Sequence, residues 1–409
     1  MSFVTRRLAG FLTAISLLAA GQGGAFAQKK YDTGATDTEI KIGNIMPYSG
    51  PLSAWGAIGK TEAAYFQKIN SEGGINGRKI TFISYDDAFS PPKTVEQARK
   101  LVESDGVLLI FQSLGGPTNA AIQKYMNTRK VPQLFVATGE ARWNDPQNFP
   151  WTMGWQPNLQ NEARIYAKYI LKEKPDARIG ILYENNDFGK DFLKGLKNGL
   201  GDRAASLIVA EDAYDVTEPT IDSHIVKMKT VNADVFLDIT TPKFAAQAIR
   251  KAAEIGWKPL HILSAVSVSV GVVMKPAGIE AAQGIISSAY LKDPTDPQWK
   301  NDRGMKAWNE FLDKYYRDAN RSDVSVIYAY AVAQTLEHVL RACGDDLTRE
   351  NVMKQAANIR DLELDGLLPG IKINTSATDF APISQRQMIR FKGETWERFG
   401  EIVDADVGG

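Results

Sequence analysis

Cysteine occurs once in 409 residues, at Cys343, and histidine three times, at His224, His261 and His338. A single thiol cannot form an internal disulfide, and Cys343 falls in an apolar helical stretch where a thiol acts as a small buried hydrophobe. None of the histidines has a His or carboxylate partner three or four residues away, so no helix carries a metal-ligand pair. Also missing after every predicted strand are a Gly-x-Ser-x-Gly elbow, a Walker-type Gly-x4-Gly-Lys-Ser/Thr loop and a dinucleotide Gly-x-Gly-x-x-Gly turn. Together these absences disfavour an enzyme: no catalytic set, cofactor or metal is expected. Excess charge is lacking too, with 48 basic against 48 acidic residues, so there is no basic footprint for nucleic acid or an anionic membrane. After residue 28 no apolar run is long enough for a membrane span, which disfavours a receptor ectodomain.

What is present begins with an export signal. Arg6 and Arg7 make a short positive region, Leu8 to Ala20 is a mainly apolar, uncharged run, and Ala25-Phe26-Ala27 offers a small-x-small cleavage site. The run is shorter than the roughly 18 to 20 apolar residues of a bilayer span, so cleavage after Ala27 is expected rather than anchorage. No cysteine lies in the leader, so no lipid attachment is expected, and Leu8-Ala9-Gly10 after the arginine pair favours ordinary over twin-arginine export. Cleavage removes two arginines and no acid, leaving 46 basic against 48 acidic residues, a charge of about −2. The remaining length exceeds what one core usually serves, which predicts two domains.

From about residue 38 the chain alternates short β-rich apolar runs with amphipathic helices, the pattern of parallel strands with crossover helices. Strands are expected over 39–45, 79–85, 107–111, 133–136, 178–183, 205–210, 235–239, 261–264 and 284–289. Helices are expected over 55–70, from Pro91, from Pro117, and over 157–171, 187–200, 218–230 and 242–255, several opened by proline near the first turn. Three more follow over 303–316, 324–342 and 348–358, and this last region reads as free of strands. A second βα series that starts near Arg178 and returns to helices implies two doubly wound lobes, with the chain crossing between them more than once.

In open parallel sheets, ligands sit beyond the carboxyl ends of the strands. That rule directs attention to residues 47–55, 112–118, 137–142, 184–188, 240–242 and 265–269, which are mostly small, polar or aromatic. Within them, Gly115-Gly116-Pro117 sets bare amides at a helix start, an anion site in waiting. Trp55 and Phe188 fall where a ligand would reach, whereas Trp143 and Trp151 read as packing. Asp86-Asp87 reads as a turn that hydrogen-bonds loop amides before the Pro91 helix, and Asn185-Asn186-Asp187 as a loop and helix cap.

Glu39-Ile-Lys-Ile-Gly-Asn-Ile-Met-Pro-Tyr-Ser-Gly-Pro, Ile69-Asn-Ser-Glu-Gly-Gly-Ile-Asn-Gly-Arg-Lys-Ile and Tyr85-Asp-Asp resemble the opening of the leucine/isoleucine/valine-binding proteins. These are the periplasmic components of ABC transporters for branched-chain amino acids and related compounds. The likeness continues through Val131-Pro132, Ala137-Thr138, Tyr183 to Gly189 and the helix from Phe244 to Gly256, covering essentially the whole mature chain. It implies an α/β type I periplasmic binding fold of two three-layer lobes joined by hinge strands. The expected division is a leader (1–27), a first lobe (29–154 and 290–375), a second lobe (155–289), and a C-terminal segment mainly in the second lobe (376–409).

The resemblance assigns capture of a ligand carboxylate to Leu114, Gly115, Gly116, Ala137, Thr138 and Gly139, and makes Trp55 and Phe188 an aromatic clamp. Thr240 and Val266 complete the expected cleft. Amino-acid binders of the family carry a glutamate where this chain has Val266, in a stretch, Ser264-Ala-Val-Ser-Val-Ser-Val, without an acid. A buried ammonium without a counter-charge costs several kcal/mol. The serine of the family's first subsite is glycine here. These departures point to a small carboxylate with an apolar or aromatic body, such as a benzoate or phenylpropenoate relative, rather than an α-amino acid. The expected partners are that ligand and a cognate ABC permease, with the protein a monomer in the periplasm. The alternatives are a binder of branched-chain or other hydrophobic amino acids and, in another class, a cytosolic amide-sensing regulator on the same fold, against which the leader argues.

Overall fold

The computed structural model describes residues 29–404; the predicted leader lies outside the described residues. The chain runs β1 (Lys30–Tyr31), β2 (Glu39–Met46), α1 (Gly56–Ser71), β3 (Lys79–Asp86), α2 (Pro91–Arg99), β4 (Leu109–Phe111), α3 (Gly116–Arg129), β5 (Gln133–Val136) and β6 (Thr152–Gly154). It continues with α4 (Leu159–Glu173), β7 (Ile179–Glu184), α5 (Asp187–Leu200), α6 (Ala204–Leu207), β8 (Ile208–Tyr214), α7 (Asp222–Thr230), β9 (Val235–Ile239), α8 (Pro242–Glu254), β10 (Leu260–Leu263), α9 (Lys275–Ala277) and β11 (Ile286–Ala289). The last part is α10 (Arg303–Tyr315), α11 (Val324–Cys343), β12 (Asp346–Leu347), α12 (Arg349–Ala356), β13 (Gln385–Lys392) and β14 (Thr395–Asp404).

Two large sheets result. The first has the order β3-β2-β4-β5-β6, all parallel, with Ile42 opposite Phe82 on one side and Leu109 on the other. The second has the order β14-β13-β11-β10-β9-β7-β8, parallel from β8 to β11 and closed by the antiparallel pair β13 and β14. Each sheet is covered on both faces, because successive side chains of a strand point to opposite sides. In β2, Ile42 joins the core under α1, α10 and α11, while Ile45 joins the one under α2 and α3. In β7, Ile181 packs with Tyr166 and Phe192 of α4 and α5, while Leu182 packs with Phe236 and Phe244 on the other face.

The chain passes between the lobes three times. Trp155 still packs in the first core and Leu159 in the second; Ala289 ends β11, yet Leu291 packs in the first; Ile383 packs in the first and β13 in the second sheet. The last passage comes later than the expected boundary at 376, because Phe380 and Ile383 remain buried against the first lobe.

Two further expectations are corrected. The strand expected over 205–210 is α6 followed by β8, since Ala204-Ala-Ser-Leu holds a helical turn and the β-branched Ile208-Val209 opens the strand. The region after 302 is not free of strands: β12, β13 and β14 lie there. Long polar side chains at Gln385, Arg386, Gln387, Arg390 and Lys392 mask the apolar alternation of β13, whose burial nonetheless alternates along much of its length. The hairpin turns at Gly393, whose φ of 63° suits glycine.

Candidate ligand-binding cleft

The carboxyl ends of β2, β4 and β5 in one lobe and of β7, β9 and β10 in the other meet across a single cleft of about 1280 Å³, open solvent at its mouth included. Gly115 enters α3 at φ 98°, and a Cβ there would meet the Phe89 ring at 2.3 Å, so this close approach requires glycine. Phe89 is itself held at φ 60° by the turn that Asp87 makes, its amide donating to Asp87 Oδ1 at 2.8 Å. The Asp86-Asp87 pair thus acts as a turn: Asp86 accepts from the amides of Tyr48 and Ala88, and Asp87 from the Thr94 hydroxyl. Asn186 caps α5, accepting from the Gly189 amide at 3.3 Å.

Of the residues expected at the site, Trp55, Leu114, Gly115, Gly116, Ala137, Thr138, Phe188 and Val266 line this cleft. Gly139 and Thr240 do not. The Gly139 carbonyl accepts from the Leu159 amide at 2.8 Å, and an added Cβ would meet the Pro157 oxygen at 2.6 Å, so this glycine serves the passage between lobes. Thr240 is wholly buried, donating to Asp238 at 2.6 Å and accepting the Ser267 hydroxyl on its carbonyl; its neighbour Thr241 faces the cleft instead.

The expected anion niche has an internal occupant. A Cβ on Gly116 would lie 1.8 Å from Glu140 Oε1, so the Glu140 carboxyl stands at the start of α3. Its Oε2 accepts from the Thr138 hydroxyl and, at 2.8 Å, from Trp143 Nε1. Its Oε1 is buried without a partner, and burial raises its pKa. Thr138 therefore turns its hydroxyl to Glu140, and the amides of Leu114, Gly115, Ala137 and Thr138 donate to protein carbonyls. Gly116 is the lining glycine whose amide has no protein acceptor among the described residues.

Charged groups sit on the other walls. Glu184, at the end of β7, is 3% exposed; burial pushes its carboxyl up to about 7, against bonds from Tyr214 Oη at 3.1 Å and from Asn186. Glu162 of α4 accepts the Ala265 amide at 2.8 Å and pairs with Arg386 of β13 at 2.8 Å. An acid thus stands beside the Ala265-Val266 turn after all, supplied by a distant helix, with its charge matched by Arg386. Arg386 and Arg398 both line the cleft, and in both Nε is buried without an acceptor. Phe89, Tyr290, Tyr328, Trp299 and Trp396 add further aromatic surface. Glu184 and Asn186 fell in a strand-end loop already singled out, whereas Arg386, Trp396 and Arg398 lie on the unforeseen β13–β14 hairpin.

The lobes touch on both flanks of the cleft. On one, Arg142 pairs with Asp187 at 3.0 Å and the Ala141 amide donates to Asp191 at 2.9 Å. On the other, the Gly271 amide donates to the Ser322 carbonyl at 2.9 Å and the Ser269 hydroxyl to Asp323 at 3.1 Å. Among the described residues no cluster of three His, Cys, Asp or Glu could hold a metal ion, and no helix is long and apolar enough to cross a membrane.

Residues 39–395 match the family described as periplasmic binding protein. The chain belongs to that family. This binding protein is 24% identical over 337 residues to Leu/Ile/Val-binding protein homolog 7 of Brucella abortus (strain 2308), covering 80% of this chain and 82% of the relative. With Leu/Ile/Val-binding protein homolog 1 of the same organism the identity is 25% over 321 residues, with coverage of 78% and 82%. A branched chain amino acid ABC transporter structure from Thermus thermophilus with bound valine superposes at a TM-score of 0.80, with 15% identity, over 90% of this chain and 97% of that one. A fatty acid ABC transporter substrate-binding protein from Thermomonospora curvata superposes at 0.78, with 20% identity, over 93% and 97%. The resemblance to the leucine/isoleucine/valine-binding proteins and the type I α/β fold are therefore facts of this chain.

Proposed function

We propose that this binding protein is exported by cleavage of residues 1–27, works as a monomer in the periplasm without a lipid anchor, and delivers its ligand to a cognate ABC permease. The ligand is a small carboxylate with an apolar or aromatic body, taken up as the two lobes close by a hinge motion. One observation carries the reading: both lobes present aromatic and aliphatic walls, and among the described residues the buried lining side-chain nitrogens left without acceptors are guanidinium N–H donors. Trp55 and Phe188 clamp the body from opposite lobes, with Leu114, Gly115, Gly116, Ala137, Thr138 and Val266 around it. Lobe boundaries fall at about 154, 289 and 383.

The acids in the cleft do not favour an α-ammonium group. Glu162 is matched by Arg386, and Glu184 already receives Tyr214 and Asn186 and is pushed up toward neutrality by burial. Glu184 is nonetheless the observation on which a second reading, a branched-chain amino acid binder, would stand. Calorimetric titration of the mature protein, unfolded and refolded to free it of bound solutes, separates the two. Saturable binding of benzoate or phenylpropenoate acids with no response to leucine supports the carboxylate; tight leucine binding with no response to any aromatic acid overturns it.

A further inference from the structure

The cleft extends much farther across the second sheet than a benzoate or an amino acid would. Phe188 follows β7, and Arg398 lies on β14, five strand positions away in the order β7-β9-β10-β11-β13-β14. At about 4.8 Å per strand this is roughly 24 Å, whereas a benzoate spans less than two such spacings. Both residues line the same cavity.

The β14 end has its own character. Its walls include Val268, Ile389, Trp299 and Trp396, with Trp396 fixed by a 2.8 Å bond from Nε1 to the Val268 carbonyl. The Arg398 guanidinium stacks 4.9 Å from the Trp299 ring, and its two Nη atoms donate to the neutral Gln298 and Gln387 oxygens at 2.6 and 3.4 Å. Its Nε is buried without an acceptor. The two acids at this end are already engaged: Asp293 accepts from Thr295 and Thr395, and Asp296 caps the Gln298 amide. Arg386, by contrast, has its charge matched by Glu162. Among the described residues Arg398 is therefore the lining guanidinium that lacks an anionic partner, and a planar carboxylate is the group its geometry fits.

Resting on the reading of this cleft as the ligand site, the geometry points to an elongated amphiphile: an apolar or aryl-terminated chain along the cleft, one end between Trp55 and Phe188, with its carboxylate on Arg398. The test is intrinsic tryptophan fluorescence titration with a series of ω-phenylalkanoates of increasing length, each beside its primary alcohol. Affinity should rise along the acid series, by up to about fourfold per buried methylene, and the long acid should bind at least tenfold tighter than its alcohol. Arg398→Met, which keeps an apolar stem against Trp299, should abolish the preference of acid over alcohol, and Arg398→Lys should restore part of it; thermal melts check that both variants fold. Affinity that is flat or falls with length, or a preference for the acid that survives in Arg398→Met, overturns the inference. Benzoate binding without a length dependence removes the extended ligand alone; leucine binding with no response to any aromatic acid removes the carboxylate reading as well.

Discussion

Replacing Arg386 with methionine should be among the most damaging single changes available near the cleft. The partner it abandons, Glu162, has a side chain that is 0% exposed, and Arg386 itself is 3% exposed. With Arg386 gone, Glu162 keeps the Ala265 amide at one oxygen while its charge stays buried without a counter-ion. Removing one partner of a buried pair costs about 3–5 kcal/mol, most of it the desolvation of the charge left behind. Arg386 also donates to the Pro157 carbonyl at 3.1 Å, so the same change loosens one of the passages between lobes. The assay is thermal and urea unfolding of wild type, Arg386→Met, Glu162→Gln and the double variant. The double variant should recover a large part of the loss, because an apolar and a neutral side chain no longer leave a charge stranded, giving a coupling energy of about 2 kcal/mol or more. An Arg386→Met destabilisation within about 1 kcal/mol, or additive single effects, would refute the claim that the pair's charges are mutually dependent.

Trp55→Ala should weaken ligand binding at least tenfold in the fluorescence titration while leaving the melting temperature close to wild type, since Trp55 is only partly buried at the edge of the first core; unchanged affinity would remove it from the site. Glu184 gives a pH signature. Its folded pKa of about 7 lies above the ordinary carboxyl value of 4.5, so between those values the native protein holds more protons than the unfolded chain. Stability contributed by this group therefore falls as pH rises through that window, by an amount on the order of 3 kcal/mol. Glu184→Gln should melt progressively later relative to wild type from pH 5 to pH 8, and a pH-independent difference between the two would contradict the assignment.

The parallel strands and their helices were legible in the sequence because their signals are local: apolar runs such as Val235 to Ile239, prolines opening α2, α3 and α8, and glycines closing α1. The first-lobe turn at Gly115-Gly116 was legible for the same reason. The β13–β14 hairpin was not, because its strands are paired antiparallel at the sheet edge and carry long polar side chains, so no apolar run marks them. With it went Arg386, Trp396 and Arg398. Glu140 lay in the strand-end stretch 137–142 without its role being marked and Glu162 was missed, for a different reason: each reaches its place through the fold, one beneath the start of α3 and the other from α4 to the turn after β10, and neither spacing carries a local sign. No acid lies in the sequence beside Val266, yet Glu162 reaches the Ala265 amide from α4, a proximity that only the fold creates.

The most direct measurement is mass spectrometry of whatever the protein carries when purified without denaturation from its own cells, released by unfolding and compared with a heat-stripped control. The expected compound is an organic acid with an aromatic or alkyl body and no amine, and it should rebind the stripped protein and raise its melting temperature. Release and rebinding of leucine, valine or another α-amino acid would contradict it.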